Sequence, residues 1–171
     1  MKSDFFNHIL PADHSHILQN PKGLQSIAGG KARVFSTKER RNLIMPAVES
    51  DLCASLSGIL NNLGSPCIEV NGTANHLHVL FLQSKNLALC DILKEMKKST
   101  SSWIKTRGAR FRNFAWQQGY AAFSVSPSSE ERVRRYIRRQ KEHHKTISFE
   151  DELIWLLQRH GVSFDLRYLW S

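Results

Sequence analysis

Hydrophobic positions along the middle of the chain follow two distinct periods. From residue 45 to residue 63, and again from about residue 87 to residue 104, apolar side chains recur every three or four positions, which predicts two helices with one buried face each. Four shorter segments are apolar or alternate between apolar and polar side chains, which indicates β-strands. These segments are residues 32–36, 67–71, 76–83 and 119–125. The pattern predicts the order strand, helix, strand, strand, helix, strand.

Two further helices are predicted after the last strand. Ser128, with Glu131 three residues later, forms a capping-box pattern that predicts a helix reaching about residue 143. Ser148 with Asp151 forms a second such pattern, which predicts a last helix ending near residue 160. The chain therefore closes with helices that follow the sheet-forming segments.

The order of elements begins as a βαββαβ unit, which is the ferredoxin-like arrangement of an antiparallel sheet. We therefore predict an α+β fold with a ferredoxin-like core and added C-terminal helices. The two main helices are expected on one face of the sheet. The other face is expected to be free or paired with a second copy of the chain.

The first 30 residues differ from the remainder. Pro11, Pro21 and the paired glycines at 29 and 30 interrupt both hydrophobic periods. We expect an N-terminal arm at residues 1–30, extended or mobile, and a single domain over residues 31–171. The paired glycines stand where residues of the first strand are expected, which leaves the length of that strand open.

Composition excludes several classes of protein. A chain of 171 residues with 41% hydrophobic side chains is long enough for one domain with a buried core. No stretch reaches the roughly 18 apolar residues that a membrane-spanning helix needs. The N-terminus has no basic segment followed by an apolar run, so no secretory signal is expected. Three cysteines without C-x-x-C spacing favour reduced thiols in an intracellular protein.

Positive charge is concentrated in one part of the chain. The formal net charge is +9, and residues 94–145 contain 14 lysines and arginines but only four acidic side chains. Such a cationic surface favours a polyanionic partner, most commonly nucleic acid, although a solvated basic face would give the same composition. The candidate nucleic-acid-binding residues are Lys97, Lys98, Lys105, Arg107, Arg110, Arg112, Arg135, Arg138 and Arg139.

The strand predicted over residues 76–83 begins with two histidines. His76 and His78 project from the same face of a strand, and their side chains are expected roughly 6–7 Å apart. Two imidazoles at that separation can bind one divalent cation and leave positions for a third ligand and for substrate. Taken alone, the motif is better explained by two hydrogen-bonded histidines at a sheet surface.

A second motif lies on the helix predicted after the last strand. Tyr136 and Gln140 are four residues apart and therefore share a helix face. The phenol of Tyr136 is a candidate nucleophile, and the amide oxygen of Gln140 is a candidate third metal ligand. The alternatives are a core tyrosine and a surface glutamine. His143 and His144, just beyond, are expected at a solvated helix end, and contact with metal or phosphate is the alternative.

Together these motifs resemble the single-tyrosine HUH transposases, in particular the short branch close to the REP-associated tyrosine transposases. The similarity runs from about Arg33 to Trp170. The metal-binding His-hydrophobic-His motif of that family corresponds to residues 76–78. Its catalytic tyrosine corresponds to Tyr136, and the glutamine one helical turn later corresponds to Gln140.

The resemblance implies a metal-dependent DNA transposase. Such an enzyme cleaves and rejoins single-stranded DNA with hairpin ends through a 5′-phosphotyrosine intermediate, with Mg²⁺ or Mn²⁺ held by His76, His78 and Gln140. It also implies a homodimer in the bacterial cytoplasm, associated with the nucleoid, with no membrane partner and no small-molecule cofactor. In such a dimer Tyr136 belongs to the same subunit as the histidines or to the other one.

Other functions remain open from the sequence. A non-catalytic nucleic-acid-binding domain of ferredoxin-like fold is one, although no RNP1-like aromatic pattern is present. A metal-dependent nuclease that uses activated water is another. A domesticated copy that processes chromosomal hairpins would use the same chemistry as the transposase.

Overall fold

The computed structural model describes residues 30–166, so the expected N-terminal arm lies outside the described residues except for Gly30, which begins the first strand. The strands are Gly30–Ser36 (β1), Cys67–Gly72 (β2), His76–Leu82 (β3) and Ala121–Val125 (β4). The helices are Pro46–Asn62 (α1), Leu89–Lys105 (α2), Glu130–Arg138 (α3), Gln140–His143 (α4) and Phe149–Arg159 (α5). None of the helices within this part of the chain is long and apolar enough to cross a bilayer.

The four strands form one antiparallel sheet in the order β2-β3-β1-β4. The first strand is central and pairs with β3 and β4, for example Phe35 with Leu77 and Ala32 with Phe123. This order is the one that a ferredoxin-like βαββαβ unit produces, which confirms the predicted α+β fold. Because β3 pairs with β2 on one side and with β1 on the other, both of its histidines lie on an interior strand of the sheet.

One face of the sheet is covered by α1 and α2. Alternate residues of β3, namely Leu77, Val79 and Phe81, are fully buried against apolar side chains of these two helices. Proline occupies the first position of α1, where its missing N–H costs no hydrogen bond. Gly64, with φ of 64°, follows the end of α1 in the left-handed conformation that glycine adopts most readily.

The sequence predicted that the opposite face of the sheet is free or paired with a second copy. In the structure the C-terminal helices α3 and α5 cover this face instead. Val34 and Phe123 pack against Phe149 and Leu156 of α5, and Leu80 packs against α3. Both helices carry apolar stripes, and burying these stripes on the sheet removes them from water. Since His76 and His78 alternate with the residues facing α1 and α2, they face α3 and α5.

The helix that carries Tyr136 is shorter than predicted. A 3₁₀ turn at Pro127–Ser129 precedes it, and no side chain caps its N-terminus, so the capping box predicted from Ser128 is wrong. The helix ends at Arg138, whose carbonyl oxygen accepts a hydrogen bond from Asn71 Nδ2 at 2.9 Å. Arg139, with φ −95° and ψ 14°, separates α3 from the short α4. The second predicted cap is confirmed, because Ser148 Oγ accepts a hydrogen bond from the Asp151 N–H at 3.1 Å.

Candidate active site

His76 and His78 lie side by side on β3, as the two-residue period of a strand requires. Their ring centroids are 5.2 Å apart, and the residues are 1% and 3% exposed. The surface position considered from the sequence is therefore wrong, because α3 and α5 cover both rings. Two buried imidazoles need polar partners in the interior.

The orientation of His76 is fixed by the residues just before it. Its Nδ1 lies 2.7 Å from Asn75 Oδ1 and 2.9 Å from Thr73 Oγ1. The Thr73 hydroxyl donates to Asn75 Oδ1 at 3.0 Å, so it accepts from the histidine. Both partners of Nδ1 are therefore acceptors, which places the proton on Nδ1 and leaves Nε2 as an acceptor. Holding a histidine in this way is typical of an imidazole that binds metal.

Glu152 occupies the centre of the site. This carboxylate is fully buried on α5. Its Oε1 accepts a hydrogen bond from the Tyr136 hydroxyl, and Gln140 Nε2 lies 3.4 Å from the same atom. Its Oε2 lies 3.1 Å from His78 Nε2 and 3.3 Å from His144 Nε2. Glu152 thus joins the residues predicted from both motifs.

Sequence reasoning missed Glu152, although one signal was present. Glu152 lies three residues after Phe149 and four before Leu156, and all three side chains are buried on the same side of α5. A carboxylate in the middle of an apolar stripe is expensive to bury unless it is paired. An acidic residue at such a position therefore points to partners elsewhere in the fold.

The sequence predicted a solvated helix end for the two histidines at the end of α4, and this prediction is wrong. His143 is 5% exposed, and its Nε2 lies 3.4 Å from Glu152 Oε1. The Nε2 of His144 lies 2.9 Å from the Nε2 of His76, and its Nδ1 lies 2.8 Å from the carbonyl oxygen of Ile147. The break between α3 and α4 and the turn into α5 direct both rings inward.

Tyr136 and Gln140 lie beside the histidines of the same chain. The ring of Tyr136 is 5.8 Å from that of His78, centroid to centroid. Gln140 is fully buried, so the alternative of a surface glutamine is wrong. Its Oε1 has no aligned hydrogen-bond donor among residues 30–166. A buried amide oxygen without a donor is suited to a cation.

The protonation states follow from burial and from Glu152. Burial, followed by the Glu152 carboxylate, raises the pKa of Tyr136 well above its usual value. Burial alone would raise the pKa of Glu152, but His78 and the hydrogen bonds from the neighbouring histidines hold it well below its usual range. Burial and the adjacent His78 lower the pKa of His76. At neutral pH the site therefore contains a carboxylate, a neutral phenol and a neutral His76.

Four side chains in this cluster can bind a metal ion together. Each of His76, His78, His144 and Glu152 offers one ligand atom, and these atoms all lie within 4.8 Å of one another. Ligands held about 2.0–2.2 Å from a single ion lie about 3–4 Å apart, so the set needs only a small contraction. Imidazole nitrogens and a carboxylate oxygen are ordinary ligands of divalent first-row metals.

The basic side chains predicted to bind nucleic acid divide between the two sides of the sheet. Lys105, Arg107, Arg110 and Arg112 are exposed at the end of α2 and in the loop that follows. Arg135, Arg138 and Arg139 are exposed on and just after α3, the helix of Tyr136. Arg138 Nε also lies 2.7 Å from Glu69 Oε2.

Two predicted lysines differ in how free their ammonium groups are. Lys98 is exposed, 3.7 Å from Glu95. Lys97 donates to the carbonyl oxygens of Gln117, at 2.9 Å, and Gly119. Burial lowers the pKa of Lys97 to about 8. Lys97 thus fastens the loop before β4 to α2, and its charge is directed at its own chain.

Comparison with known proteins agrees with the fold and with the family resemblance. The family profile described as "Transposase IS200 like" matches residues 32–140. No curated protein matches the chain significantly. A protein from Deinococcus radiodurans R1 assigned as a transposase has a TM-score of 0.53 at 16% identity, and the match covers 72% of this chain and 98% of that one. A REP-associated tyrosine transposase bound to a REP hairpin has a TM-score of 0.58 at 11% identity, covering 76% of each chain.

The two solved structures establish a shared fold, and the family profile establishes kinship. The matched segment covers more than half of the chain and contains both histidines of β3, Tyr136 and Gln140. It ends before His144 and Glu152, which the fold brings to the same site. This chain belongs to the family of IS200-like transposases, which are DNA-processing enzymes.

Proposed function

We propose that this transposase cleaves and rejoins single-stranded DNA at hairpin ends, with Tyr136 as the nucleophile. One observation carries the proposal: the Tyr136 hydroxyl and His78 Nε2 meet the same carboxylate, that of Glu152, within one chain. A candidate nucleophile and a candidate metal-binding pair are thus assembled at one buried point of a single chain.

The chemistry is a transfer of one phosphodiester bond. The Tyr136 oxygen loses its proton and forms a new bond to the phosphorus, which stays attached to the 5′ oxygen of the DNA downstream of the cut, and the bond from the phosphorus to the 3′ oxygen of the upstream DNA breaks. The leaving 3′ oxygen takes up a proton and becomes a free hydroxyl. Attack of a 3′-hydroxyl on the phosphotyrosine reverses these steps and rejoins strands, so no external energy source is needed.

The residues present fit a divalent ion. His76, His78 and Gln140 are the proposed ligands, because the imidazoles face one point and Gln140 Oε1 is buried without an aligned donor among the described residues. When bound, Mg²⁺ or Mn²⁺ supplies charge that polarises the scissile phosphate and stabilises the leaving oxygen. The protein itself orients His76 through Asn75, and α3 and α5 exclude water from the site.

The DNA is proposed to approach along α3. Arg135 and Arg139 are exposed within one turn of Tyr136, so they can bind the phosphates that flank the cleaved bond. Hairpin DNA is proposed as the substrate because a solved structure with a similar fold is that of a transposase bound to a REP hairpin.

A homodimer remains part of the proposal, but the active site does not require one. Tyr136 and the histidines lie together in one chain, so a second copy would not have to supply the tyrosine. The dimer would instead hold two DNA ends for rejoining. The proposed location is the bacterial cytoplasm, where chromosomal DNA is accessible.

The test is covalent capture of DNA. A 5′-labelled and a 3′-labelled hairpin oligonucleotide, taken from sequence that flanks the gene, are incubated with protein and Mn²⁺ and separated under denaturing conditions. We expect a covalent adduct that retains only the DNA on the 3′ side of the cut. Tyr136→Phe should abolish it. The matched variant Tyr120→Phe should retain it, because Tyr120 is half-buried against the core on the other face of the sheet.

The other outcomes distinguish the alternative functions. Cleavage that persists in Tyr136→Phe without an adduct would indicate a nuclease that uses activated water. DNA binding without any cleavage, over Mg²⁺ and Mn²⁺ and across several hairpins, would indicate a non-catalytic binding domain. Either result would refute the proposed mechanism.

A further inference from the structure

The arrangement of His76 and His144 requires a cation between them. His76 Nδ1 faces two acceptors, Asn75 Oδ1 and Thr73 Oγ1, and His144 Nδ1 donates to the carbonyl oxygen of Ile147. When both rings are neutral, each directs a lone pair from Nε2, and the two Nε2 atoms lie 2.9 Å apart. Two lone pairs at that distance repel each other unless a proton or a metal ion lies between or beside them.

A third and a fourth ligand atom face the same point. Glu152 Oε2 lies 3.3 Å from His144 Nε2 and 3.1 Å from His78 Nε2. These ligands come from three separate parts of the fold, namely β3, the turn after α4 and the first turn of α5. A single proton can satisfy one pair of these atoms, whereas a metal ion satisfies all four at once.

We infer that Glu152 and His144 are metal ligands together with His76 and His78, and that this site of three imidazoles and one carboxylate selects a first-row transition ion over Mg²⁺. The inference rests on the proposed function only in placing the ion beside Tyr136. It extends that proposal by naming two ligands beyond the segment that matches the family profile, and by naming the class of ion.

The selectivity follows from the chemistry of the ligands. Mg²⁺ prefers oxygen ligands in an octahedral shell and gives up its water reluctantly, whereas imidazole nitrogens favour Zn²⁺ and its neighbours in the first transition row. A site in which three imidazole nitrogens bind the ion is therefore poor for Mg²⁺. The expected order of affinity is Zn²⁺ above Mn²⁺, and Mn²⁺ above Mg²⁺.

Glu152 also links the ion to the nucleophile. Its Oε2 faces the histidines, and its Oε1 accepts the hydrogen bond of Tyr136. One carboxylate can therefore bind the ion through one oxygen and position the phenol through the other. A change at Glu152 is expected to affect ion binding even when no DNA is present.

Ion binding is measured directly by calorimetry on the metal-free full-length protein with Zn²⁺, Mn²⁺ and Mg²⁺ alone. We expect one ion per chain, with Mg²⁺ at least about tenfold weaker than Mn²⁺. Glu152→Gln and His144→Gln should each weaken Mn²⁺ binding at least about tenfold. The matched variant Glu150→Gln, an acid in the first turn of the same helix that pairs with Arg40 on the surface, should bind as the unmodified protein does.

A second measurement tests the inference without any variant, in case the substituted proteins do not fold. Crystals of the unmodified protein soaked in Mn²⁺ or Zn²⁺ are examined by anomalous scattering at the metal edge. A peak within bonding distance of Glu152 Oε2 and His144 Nε2 supports the inference. A peak bound only by His76, His78 and Gln140, a Mg²⁺ affinity equal to that of Mn²⁺, or no ion bound would overturn it.

The two proposals fail separately. A four-ligand Mn²⁺ site in a protein that forms no DNA adduct would refute the proposed function and leave this inference intact. The reverse result is a DNA adduct that depends on Tyr136, together with normal Mn²⁺ binding by the Glu152→Gln and His144→Gln variants. This result would support the proposed function and refute the inferred ligands.

Discussion

The hydroxyl of Tyr136 donates a hydrogen bond to Oε1 of Glu152, and both residues are buried in the same chain. The two side chains come from α3 and α5, which pack side by side on one face of the sheet. This contact places the candidate nucleophile beside His78 without a partner subunit. It also ties the protonation of the phenol to a carboxylate that stays ionised.

The raised pKa of Tyr136 predicts a loss of stability at alkaline pH. Because burial favours the neutral phenol, its contribution is fully present below the unfolded value near 10 and is lost as the pH rises above it. The free energy of unfolding of the metal-free protein, measured with urea at pH 8 and pH 11, should fall less for Tyr136→Phe than for the unmodified protein. An equal fall in both would contradict the buried neutral phenol.

Replacing His76 is expected to abolish DNA cleavage while DNA binding is largely retained. His76→Ala should abolish metal-dependent cleavage, because the ion loses a ligand, while affinity for hairpin DNA falls by less than about threefold, since His76 is buried away from the exposed arginines. Cleavage is measured on a denaturing gel and binding by fluorescence anisotropy. His76 also stacks on Phe149, so a melting curve must show that the variant is folded. Equal loss of both functions in a folded variant would contradict the assignment.

The exposed arginines on and after α3 predict a salt-dependent affinity for DNA. Neutralising Arg135, Arg138 and Arg139 together should reduce the slope of log affinity against log salt by about 2, as expected for three lost contacts to single-stranded DNA. Binding is measured by anisotropy at several salt concentrations.

The control for that prediction removes the same number of charges elsewhere. Neutralising Lys105, Arg107 and Arg110, at the end of the helix on the other side of the sheet, should change the slope less. If the control variant alone loses affinity, the DNA does not approach along α3.

Gly72, at the end of β2, is predicted not to tolerate a side chain. A Cβ built on Gly72 would lie 2.1 Å from the carbonyl oxygen of His76 and 2.9 Å from Leu77 Cα, both backbone atoms that cannot move without breaking the hairpin. Gly72→Ala should therefore lower the free energy of unfolding by at least about 2 kcal/mol and disturb His76.

A second glycine provides the matched control. Gly58 is exposed on α1, and its Cβ would meet nothing within 4 Å. Gly58→Ala should raise the free energy of unfolding by about 0.5–1 kcal/mol, because alanine loses less backbone entropy in a helix. Urea unfolding of both variants checks the pair, and a stable Gly72→Ala protein would contradict the close approach.

The sequence alone determined which residues share a face. The two-residue period of β3 places His76 beside His78, and the apolar stripes of α1 and α2 predict the helices that cover one side of the sheet. These features depend on residues within a few positions of one another, so a local pattern is sufficient to predict them. The order of strands and helices then limits the topology to the ferredoxin-like arrangement, which the structure confirms.

Tertiary structure decided what faces the histidines. The contact between His78 and Glu152 spans 74 positions, and that between His76 and His144 spans 68. No local period encodes such pairs, because they depend on α3 and α5 burying their apolar stripes on the sheet. That burial carries one carboxylate and one more imidazole to the two histidines, and it converts a pair of neighbouring side chains into a site with four possible ligands and a tyrosine.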